Sequence, residues 1–254
     1  MPAPENLLKA RLKRGEATTG LWLSLANSYT AELAGTIGFD WVMIDGEHSP
    51  NDLRTIMEQL QVLKNSASSV CVRPPIGETY LIKQLLDMGA QSLLIPMVES
   101  AEQAEMLVRA VRYPPRGVRG VGAGSARAAA FGTVDNYLAT ADDQICLMLQ
   151  LESRAAIAAL DEIATVDGVD CLFIGPSDLS ADMGYLGNPF APEVQSVIED
   201  TIKRIRAHGK AAGIYMLDLK HAKHYQELGA NMITVASDVG TLVNGLKQIR
   251  QIYS

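Results

Sequence analysis

The sequence predicts an α/β fold, a (β/α)8 barrel of the TIM type, from three observations. Short apolar segments alternate with amphipathic helical segments along the chain, which is the pattern of parallel strands joined by crossover helices. Eight such apolar segments can be counted, and the 254 residues match the usual length of one barrel. We therefore expect a single barrel domain over residues 1–254, with an open doubly wound sheet as the alternative if the strand count is wrong by one.

Each predicted strand is an apolar run flanked by turn or helical patterns. In chain order the predicted strands are 18–25, 41–46, 69–74, 92–98, 145–151, 171–176, 211–217 and 232–237. Between them lie helices with recognisable ends: Ser49 or Asn51 is the expected cap of the helix after the second strand, and Ser100 of the helix after the fourth. Gly89 and Gly209 are expected to end two helices just before the next strand.

One connection is much longer than the others. Residues 112–144 contain several glycines and no clear strand, and connections of this length in a compact fold are usually functional or contact a partner. The glycine-rich part of this segment matches neither of the common phosphate-binding motifs. We expect it to be a mobile loop or part of an interface.

Composition excludes several classes of function. A formal net charge of −7 argues against nucleic-acid binding, which needs a concentrated basic face. The N-terminus has no apolar signal core, and no segment is long enough to span a membrane. Cys71, Cys146 and Cys171 each lie in an apolar run without a metal-binding or redox spacing, so we expect free, buried thiols and a cytoplasmic protein.

Polar residues at the carboxyl ends of the predicted strands mark the expected active site, because the loops after the strands of such a barrel converge on one face. Gln150 and Glu152 are two residues apart in a strand and therefore point to the same side. Asp178 follows the next strand, so its carboxylate is expected near that of Glu152. Two carboxylates suit Mg²⁺ or Mn²⁺, although helix capping by Glu152 and Asp178 is the alternative interpretation.

Arg73 and His48 also follow predicted strands. Beside a divalent cation that chelates a 2-oxo acid, Arg73 would help to stabilise an enolate oxygen, unless it only forms an ion pair at the barrel rim. His48 is a candidate general base, whose orienting carboxylate is Asp45, Glu47 or Asp87. Imine catalysis would need a lysine at the barrel mouth, and Lys220 is the single weak candidate because it opens an amphipathic helix.

Several long motifs resemble those of the HpcH/HpaI aldolase family, among them "GFDWVMIDGEHSPND", "LQLESRAAI" and "VDGVDCLFIGPSDLSADMGYLGNP". They are most similar to the branch of 4-hydroxy-2-oxoheptanedioate and 2-keto-3-deoxy-rhamnonate aldolases, and the motifs occur in the same order to the C-terminus. The resemblance implies a (β/α)8 barrel whose C-terminal helix region is exchanged between neighbouring subunits. It also implies a homo-oligomer, a hexamer built as a trimer of dimers, and a class II aldolase that uses Mg²⁺, Mn²⁺ or Co²⁺.

The resemblance also implies roles for individual residues. Glu152 and Asp178 would bind the metal, and His48 paired with Asp87 would form the acid/base dyad. Arg73 would hold the keto oxygen of pyruvate. The residues expected to contact the substrate are Arg73, Gln150, Gly175, Ser177, Asp178, Trp22 and Leu217, with the backbone around Ser177 and Asp178 receiving the carboxylate.

The expected reaction is the reversible cleavage of a 4-hydroxy-2-oxo acid into an aldehyde and pyruvate, or a hydroxypyruvate-like oxo acid, as in the catabolism of aromatic compounds or sugar acids. One alternative is a CoA-thioester lyase of the citrate lyase β or malyl-CoA type, which would need a basic surface for the nucleotide. Another is a silent subunit that only binds 2-oxo acids. The intact set His48, Arg73, Asp87, Glu152 and Asp178 argues against that second alternative.

Overall fold

The computed structural model describes residues 2–253, and its eight parallel strands close into a barrel. Strand β8 pairs with β1 in parallel, so the sheet has no free edge and the open-sheet alternative is wrong. The (β/α)8 fold class is therefore confirmed. The strands are β1 (Thr18–Leu23), β2 (Trp41–Asp45), β3 (Ser69–Arg73), β4 (Ser92–Ile95), β5 (Cys146–Leu151), β6 (Cys171–Ile174), β7 (Ala211–Tyr215) and β8 (Met232–Ser237).

Helices cover the outside of the barrel and one of its ends. None of the helices within residues 2–253 is both long and apolar enough to cross a membrane. The helices are α1 (Leu7–Lys13), α2 (Ser28–Gly35), α3 (Leu53–Val62), α4 (Thr79–Met88), α5 (Ala101–Ala110), α6 (Tyr137–Thr140), α7 (Arg154–Ala158), α8 (Leu160–Thr165), α9 (Pro176–Asp182), α10 (Pro192–Ala207), α11 (Leu219–Glu227) and α12 (Asp238–Ile252).

All eight predicted strands are present, and β4 shows the largest difference at an end. It stops at Ile95 rather than continuing to residue 98. Met97 adopts a left-handed backbone conformation with φ of 57°, which a strand cannot continue through. This turn directs the Met97 N–H towards the Glu152 carboxylate, 2.9 Å away, and so contributes to the site.

The helix ends follow the expected chemistry, with one correction. Ser100 caps α5 by accepting a hydrogen bond from the Gln103 N–H, as predicted. The prediction of Ser49 or Asn51 as the cap of α3 is wrong, because Asp52 fills that position in a capping box. The Asn51 side chain donates instead to the carbonyl of Asp45 at 2.7 Å. That bond fixes the loop that follows β2.

The core has two parts, one between the strands and the outer helices and one inside the barrel. The inner part includes Trp41 and Met43 of β2 and, from α1, Leu8 and Leu12. Burying a leucine side chain contributes about 1.5–3 kcal/mol, so α1 is held firmly across the amino-terminal end of the barrel. The carboxyl-terminal end is thereby the one available to a ligand. The three cysteines are buried and free, as predicted.

The long 112–144 segment is folded against the C-terminal ends of two helices. The Arg127 guanidinium donates to the carbonyl of Met88 at 2.7 Å and to that of Leu60 at 3.1 Å, near the ends of α4 and α3. These carbonyls have no partners within their own helices, and Arg127 satisfies them. This part of the segment is therefore packed against the ends of α3 and α4.

Candidate active site

A cleft of about 380 Å³ opens at the carboxyl ends of the strands. Its walls come from β1, β2, β3, β5, β6 and β7 and from the loops that follow them, which is where ligands bind in this fold. Most of the residues predicted from the sequence line this cleft. They are Trp22, His48, Arg73, Gln150, Gly175, Ser177 and Asp178.

Arg73 is held in the cleft by a two-pronged ion pair with Asp45. The two residues are directly opposite each other in the β2–β3 register. The Nε and Nη2 atoms of Arg73 each donate to one Asp45 oxygen at 2.8 Å. Burial acts to raise the pKa of Asp45, but the hydrogen bonds and charge of Arg73 outweigh it, so the pKa is lowered.

The third guanidinium nitrogen of Arg73 contacts other polar groups of the cleft. Nη1 lies 2.6 Å from a Glu47 oxygen and donates to Gln150 Oε1 at 3.4 Å. The guanidinium carbon lies 4.8 Å from the centre of the Trp22 ring. Arg73 is 6% exposed, so it is not a solvated ion pair at the barrel rim.

Glu152 is 3% exposed and is buried against Gln150 and Gly175, which line the cleft. One of its oxygens accepts from the Met97 N–H and the other from the Gln150 side-chain amide. Gly175 makes room for it, since a Cβ there would stand 2.5 Å from Glu152 Oε2. The interpretation of Glu152 as a helix cap is wrong, because Ser153 caps α7.

The electrostatics around Glu152 favour a cation. Burial first, and then the negative charges of Glu47 and Asp178, raise the pKa of Glu152 to about 7, against the opposing hydrogen bond from Met97. Asp178 lies in the first turn of α9 and lines the cleft beside it. A bound dication would relieve this repulsion.

The donor set fits a hard divalent cation rather than a fully enclosed metal site. Within residues 2–253 no group of three or more His, Cys, Asp or Glu side chains is arranged to bind a metal. Mg²⁺ and similar ions bind through one or two carboxylates and keep their remaining positions for water and substrate oxygens. Glu152 and Asp178, with the Gln150 amide adjacent, meet that requirement.

His48 and Asp87 do not meet within one chain. His48 lines the cleft, its side chain is 66% exposed, and its Nε2 lies 3.9 Å from a Glu47 oxygen. Asp87 is in the last turn of α4, which runs back from the carboxyl-terminal end of the barrel. At about 1.5 Å per residue, Asp87 lies roughly 12 Å down that helix from Thr79, so the two side chains are at different ends of the barrel.

Neither Leu217, a predicted substrate contact, nor Lys220, the candidate for imine catalysis, lines the cleft. Leu217 is 38% exposed, lies beyond the end of β7 and is not among the residues that line the cleft. Lys220 is exposed on α11, as expected for the opening turn of an amphipathic helix. The geometry therefore gives no support to an imine mechanism at Lys220.

The sequence reasoning found only one of the three residues in an aromatic wall of the cleft, Trp22. Tyr215 and Phe173 line it together with Trp22. The Trp22 ring packs edge-on against Tyr215 at 5.2 Å and obliquely against Phe173 at 6.0 Å. Trp22 was expected to contact the substrate, whereas Phe173 in β6 and Tyr215 at the end of β7 were not, because an aromatic side chain in a barrel strand is equally typical of the core.

Comparisons with known proteins agree with this fold and identify the family. Residues 18–245 match the model of the HpcH/HpaI aldolase/citrate lyase family. A hydroxypyruvate/pyruvate aldolase from Agrobacterium fabrum is 54% identical over all of this chain and 95% of its own length. A 4-hydroxy-2-oxo-heptane-1,7-dioate aldolase from Salmonella heidelberg is 51% identical over 96% of this chain and 93% of its own.

The solved structures give the same result. A crystal structure of an HpcH/HpaI aldolase/citrate lyase family protein from Burkholderia cenocepacia superposes with a TM-score of 0.94 at 39% identity. That comparison covers 98% of this chain and 100% of the other. The chain belongs to the HpcH/HpaI aldolase/citrate lyase family and is a carbon–carbon lyase.

Proposed function

We propose that the protein is a class II aldolase that reversibly cleaves 4-hydroxy-2-oxo acids into an aldehyde and pyruvate or hydroxypyruvate. The observation that carries the proposal is the buried Arg73, held by Asp45, in the cleft that Asp178 lines, with the Glu152 carboxylate buried against the cleft residues Gln150 and Gly175. A fixed positive charge and a cation-binding carboxylate pair are what a 2-oxo acid needs as it becomes an enolate. Relatives named for pyruvate and for a 4-hydroxy-2-oxo acid lie at 51–54% identity.

In this proposal Arg73 binds the keto oxygen of the substrate. The Asp45 fork uses Nε–H and one N–H of Nη2, and Nη1, which contacts Glu47 and Gln150, is the nitrogen proposed to donate to the ligand. Because two buried hydrogen bonds already fix the guanidinium, it needs little reorganisation as negative charge develops on that oxygen. Gln150 lies beside the same oxygen, and the backbone around Ser177 and Asp178, near Gly175, receives the carboxylate.

Glu152 and Asp178 are proposed to hold Mg²⁺, Mn²⁺ or Co²⁺. The cation would supply a Lewis acid beside the 2-oxo acid group. Glu152 is oriented for this role by Met97 and Gln150, and the absence of a side chain at Gly175 leaves its carboxylate room.

His48 is proposed as the acid/base group. It takes the proton of the C4 hydroxyl, the C3–C4 bond breaks as the aldehyde carbonyl forms, and the bonding electron pair passes to the oxo acid as its enolate. Protonation at C3 then completes pyruvate. The Trp22, Phe173 and Tyr215 wall shields the reacting carbons from water.

We propose that the Asp87 that orients His48 comes from a second copy of the chain, since the two residues lie at different ends of one barrel. None of the described residues of α12 is buried in a single chain, and its exposed apolar residues include Leu242, Leu246 and Ile249. Such a face is typical of a subunit contact. It supports a homo-oligomer in which α12 contacts another copy of the chain, and exchange of this helix within a hexamer of three dimers is part of the proposal.

A cytoplasmic location is part of the same proposal. Free cysteines persist in reducing compartments, and the three in this chain are fully buried and unpaired with one another. Burial raises the pKa of each thiol, so they take no part in the chemistry.

The proposal is tested by incubating the protein with 4-hydroxy-2-oxo acids and measuring pyruvate and aldehyde together. We expect equal amounts of both, and loss of about 100-fold or more in turnover for His48→Ala, the usual contribution of a general base. His224→Ala is the matched control, because His224 is an exposed helix residue paired with Glu199. Wild-type turnover in His48→Ala would contradict the acid/base assignment.

A further inference from the structure

A fully buried arginine holds the Asp87 carboxylate. Arg119 is 0% exposed, and its Nη2 donates to Asp87 Oδ1 at 3.2 Å. The guanidinium carbon lies 4.4 Å from the centre of the Tyr113 ring, which covers one face of the cation. Arg119 is therefore fixed on one side by an aromatic ring and on another by the carboxylate.

The backbone around Arg119 is also held by hydrogen bonds to the end of α5 and the residues after it. Its N–H donates to the Arg112 carbonyl at 2.9 Å, and the N–H of Val118 donates to the Arg109 carbonyl at 2.8 Å. Gly117 allows this close approach, because a Cβ there would lie 2.3 Å from the Arg109 and Arg112 carbonyl oxygens. The start of the long segment is thus locked onto the end of α5, and Arg119 with it.

This arrangement is a poor one for stability alone. The Nε and Nη1 atoms of Arg119 are buried without a partner, as is the Tyr113 hydroxyl. Leaving a buried donor unpaired is costly, and a buried ion pair repays its desolvation only when its remaining donors are satisfied. A chain that keeps such an arginine against a single carboxylate oxygen is expected to need that carboxylate in a fixed position.

Asp87 itself has an open side. It retains partial exposure, 27% of its side chain, although its partner Arg119 is fully buried. Gly122 lies next to this carboxylate: a Cβ added at Gly122 would be 3.5 Å from Asp87 Oδ2. Because Gly122 has no side chain, Oδ2 is uncovered there while Oδ1 is held.

From this geometry we propose that Arg119 is a positioning residue for the acid/base chemistry. It fixes Asp87 by Oδ1 so that Oδ2 is presented to the imidazole of His48 in a second copy of the chain. Gly122 keeps the approach to Oδ2 open. This inference rests on the proposed function, because it needs Asp87 to act on a histidine, and it assigns to the first part of the long segment a role in holding the carboxylate.

The test is a double-mutant cycle between Arg119→Met and Asp87→Asn, measured as turnover and KM in aldol cleavage. Arg119→Met alone is expected to lower kcat by about 10-fold to 100-fold, the range for residues that orient a catalytic group, with KM unchanged because Arg73 is untouched. In the Asp87→Asn background the same change is expected to alter kcat by less than about twofold. Arg119→Lys should recover part of the loss, since it keeps the charge without the planar fork.

The control is Arg116→Met, in the same segment, whose guanidinium pairs with Asp142 at 3.0 Å rather than with Asp87. Equal losses from Arg119→Met in both backgrounds would mean a purely structural role and would overturn the inference. A wild-type kcat in Arg119→Met, together with a lowered kcat in Asp87→Asn, would also overturn the inference. That result would leave the proposed function intact. No cleavage by the wild-type protein, or full activity of Asp87→Asn, would instead overturn the proposed function and this inference with it.

Should Arg119→Met not fold, Gly122→Ala decides the question. Its added methyl lies in ordinary contact with Asp87 Oδ2 and displaces nothing else. We expect lowered kcat with an unchanged melting temperature. Wild-type kcat in this variant would contradict an open approach at Oδ2.

Discussion

Replacing Asp45 with asparagine tests how the cleft holds its arginine. Asp45 and the side chain of Arg73 are 2% and 7% exposed, so the change removes one partner of a buried ion pair. Such a loss typically costs about 3–5 kcal/mol, and the remaining Glu47 contact keeps the expected value near 3 kcal/mol. For a protein of this size that corresponds to a melting temperature lower by about 6–12 °C.

The same variant makes a prediction about pH. The folded-state pKa of Asp45 lies below its ordinary value of 3.8. The stability that its ionised form contributes is therefore complete above pH 3.8 and is lost as the pH falls through the lower, folded-state pKa. The difference in unfolding free energy between the wild type and Asp45→Asn should be constant near neutrality and shrink in acid.

Thermal unfolding followed by circular dichroism, together with urea titrations, measures both effects. Asp161→Asn is the control: Asp161 pairs with Arg204 at 2.9 Å but is 57% exposed, so its loss should change stability little. The substrate KM should also rise in Asp45→Asn, because Arg73 is no longer fixed. A melting temperature within about 1 °C of the wild type would refute the account of the ion pair.

Two further predictions concern the Glu152 pocket and the helix α12. In Gly175→Ala the new Cβ would lie 2.5 Å from Glu152 Oε2, so the affinity for Mn²⁺ measured by calorimetry should fall by about 10-fold or more. Gly124→Ala is the control and should leave the affinity unchanged, because a Cβ at Gly124 has no atom within 4 Å. Unchanged Mn²⁺ affinity in Gly175→Ala would contradict the proposal that Glu152 binds the metal. Leu246→Glu adds a charge to a side chain that is 57% exposed in the single chain, and light scattering coupled to size exclusion should show smaller particles than for Lys247→Gln. Equal masses for the two would argue against α12 as a contact.

The barrel could be predicted from the sequence because each strand is a local apolar run with its own stop signal. Even so, the end of β4 depended on the left-handed conformation of Met97, which a methionine rarely adopts. The cap of α3 was misassigned because Ser49, Asn51 and Asp52 all have the right chemistry. Only the folded loop shows that the Asn51 amide bonds to the Asp45 carbonyl.

The site was predicted unevenly for a physical reason. Residues at strand ends, such as Arg73 and Glu152, could be found because the fold brings all strand ends together. The ion-pair partners of the site residues could not be predicted from the sequence. The pairing of Arg73 with Asp45 follows from the β2–β3 register, and that of Asp87 with Arg119 from the path of a long connection, neither of which is a local property of the sequence.

The measurement that tests the central claim most directly is pyruvate release from 4-hydroxy-2-oxo acids by chelator-stripped protein. It is made before and after Mg²⁺, Mn²⁺ or Co²⁺ is added, with borohydride trapping in parallel. If Glu152 and Asp178 bind the catalytic cation, activity appears only with metal and no covalent adduct is trapped. Metal-independent release with a trapped lysine adduct would contradict the account and assign the chemistry to an imine.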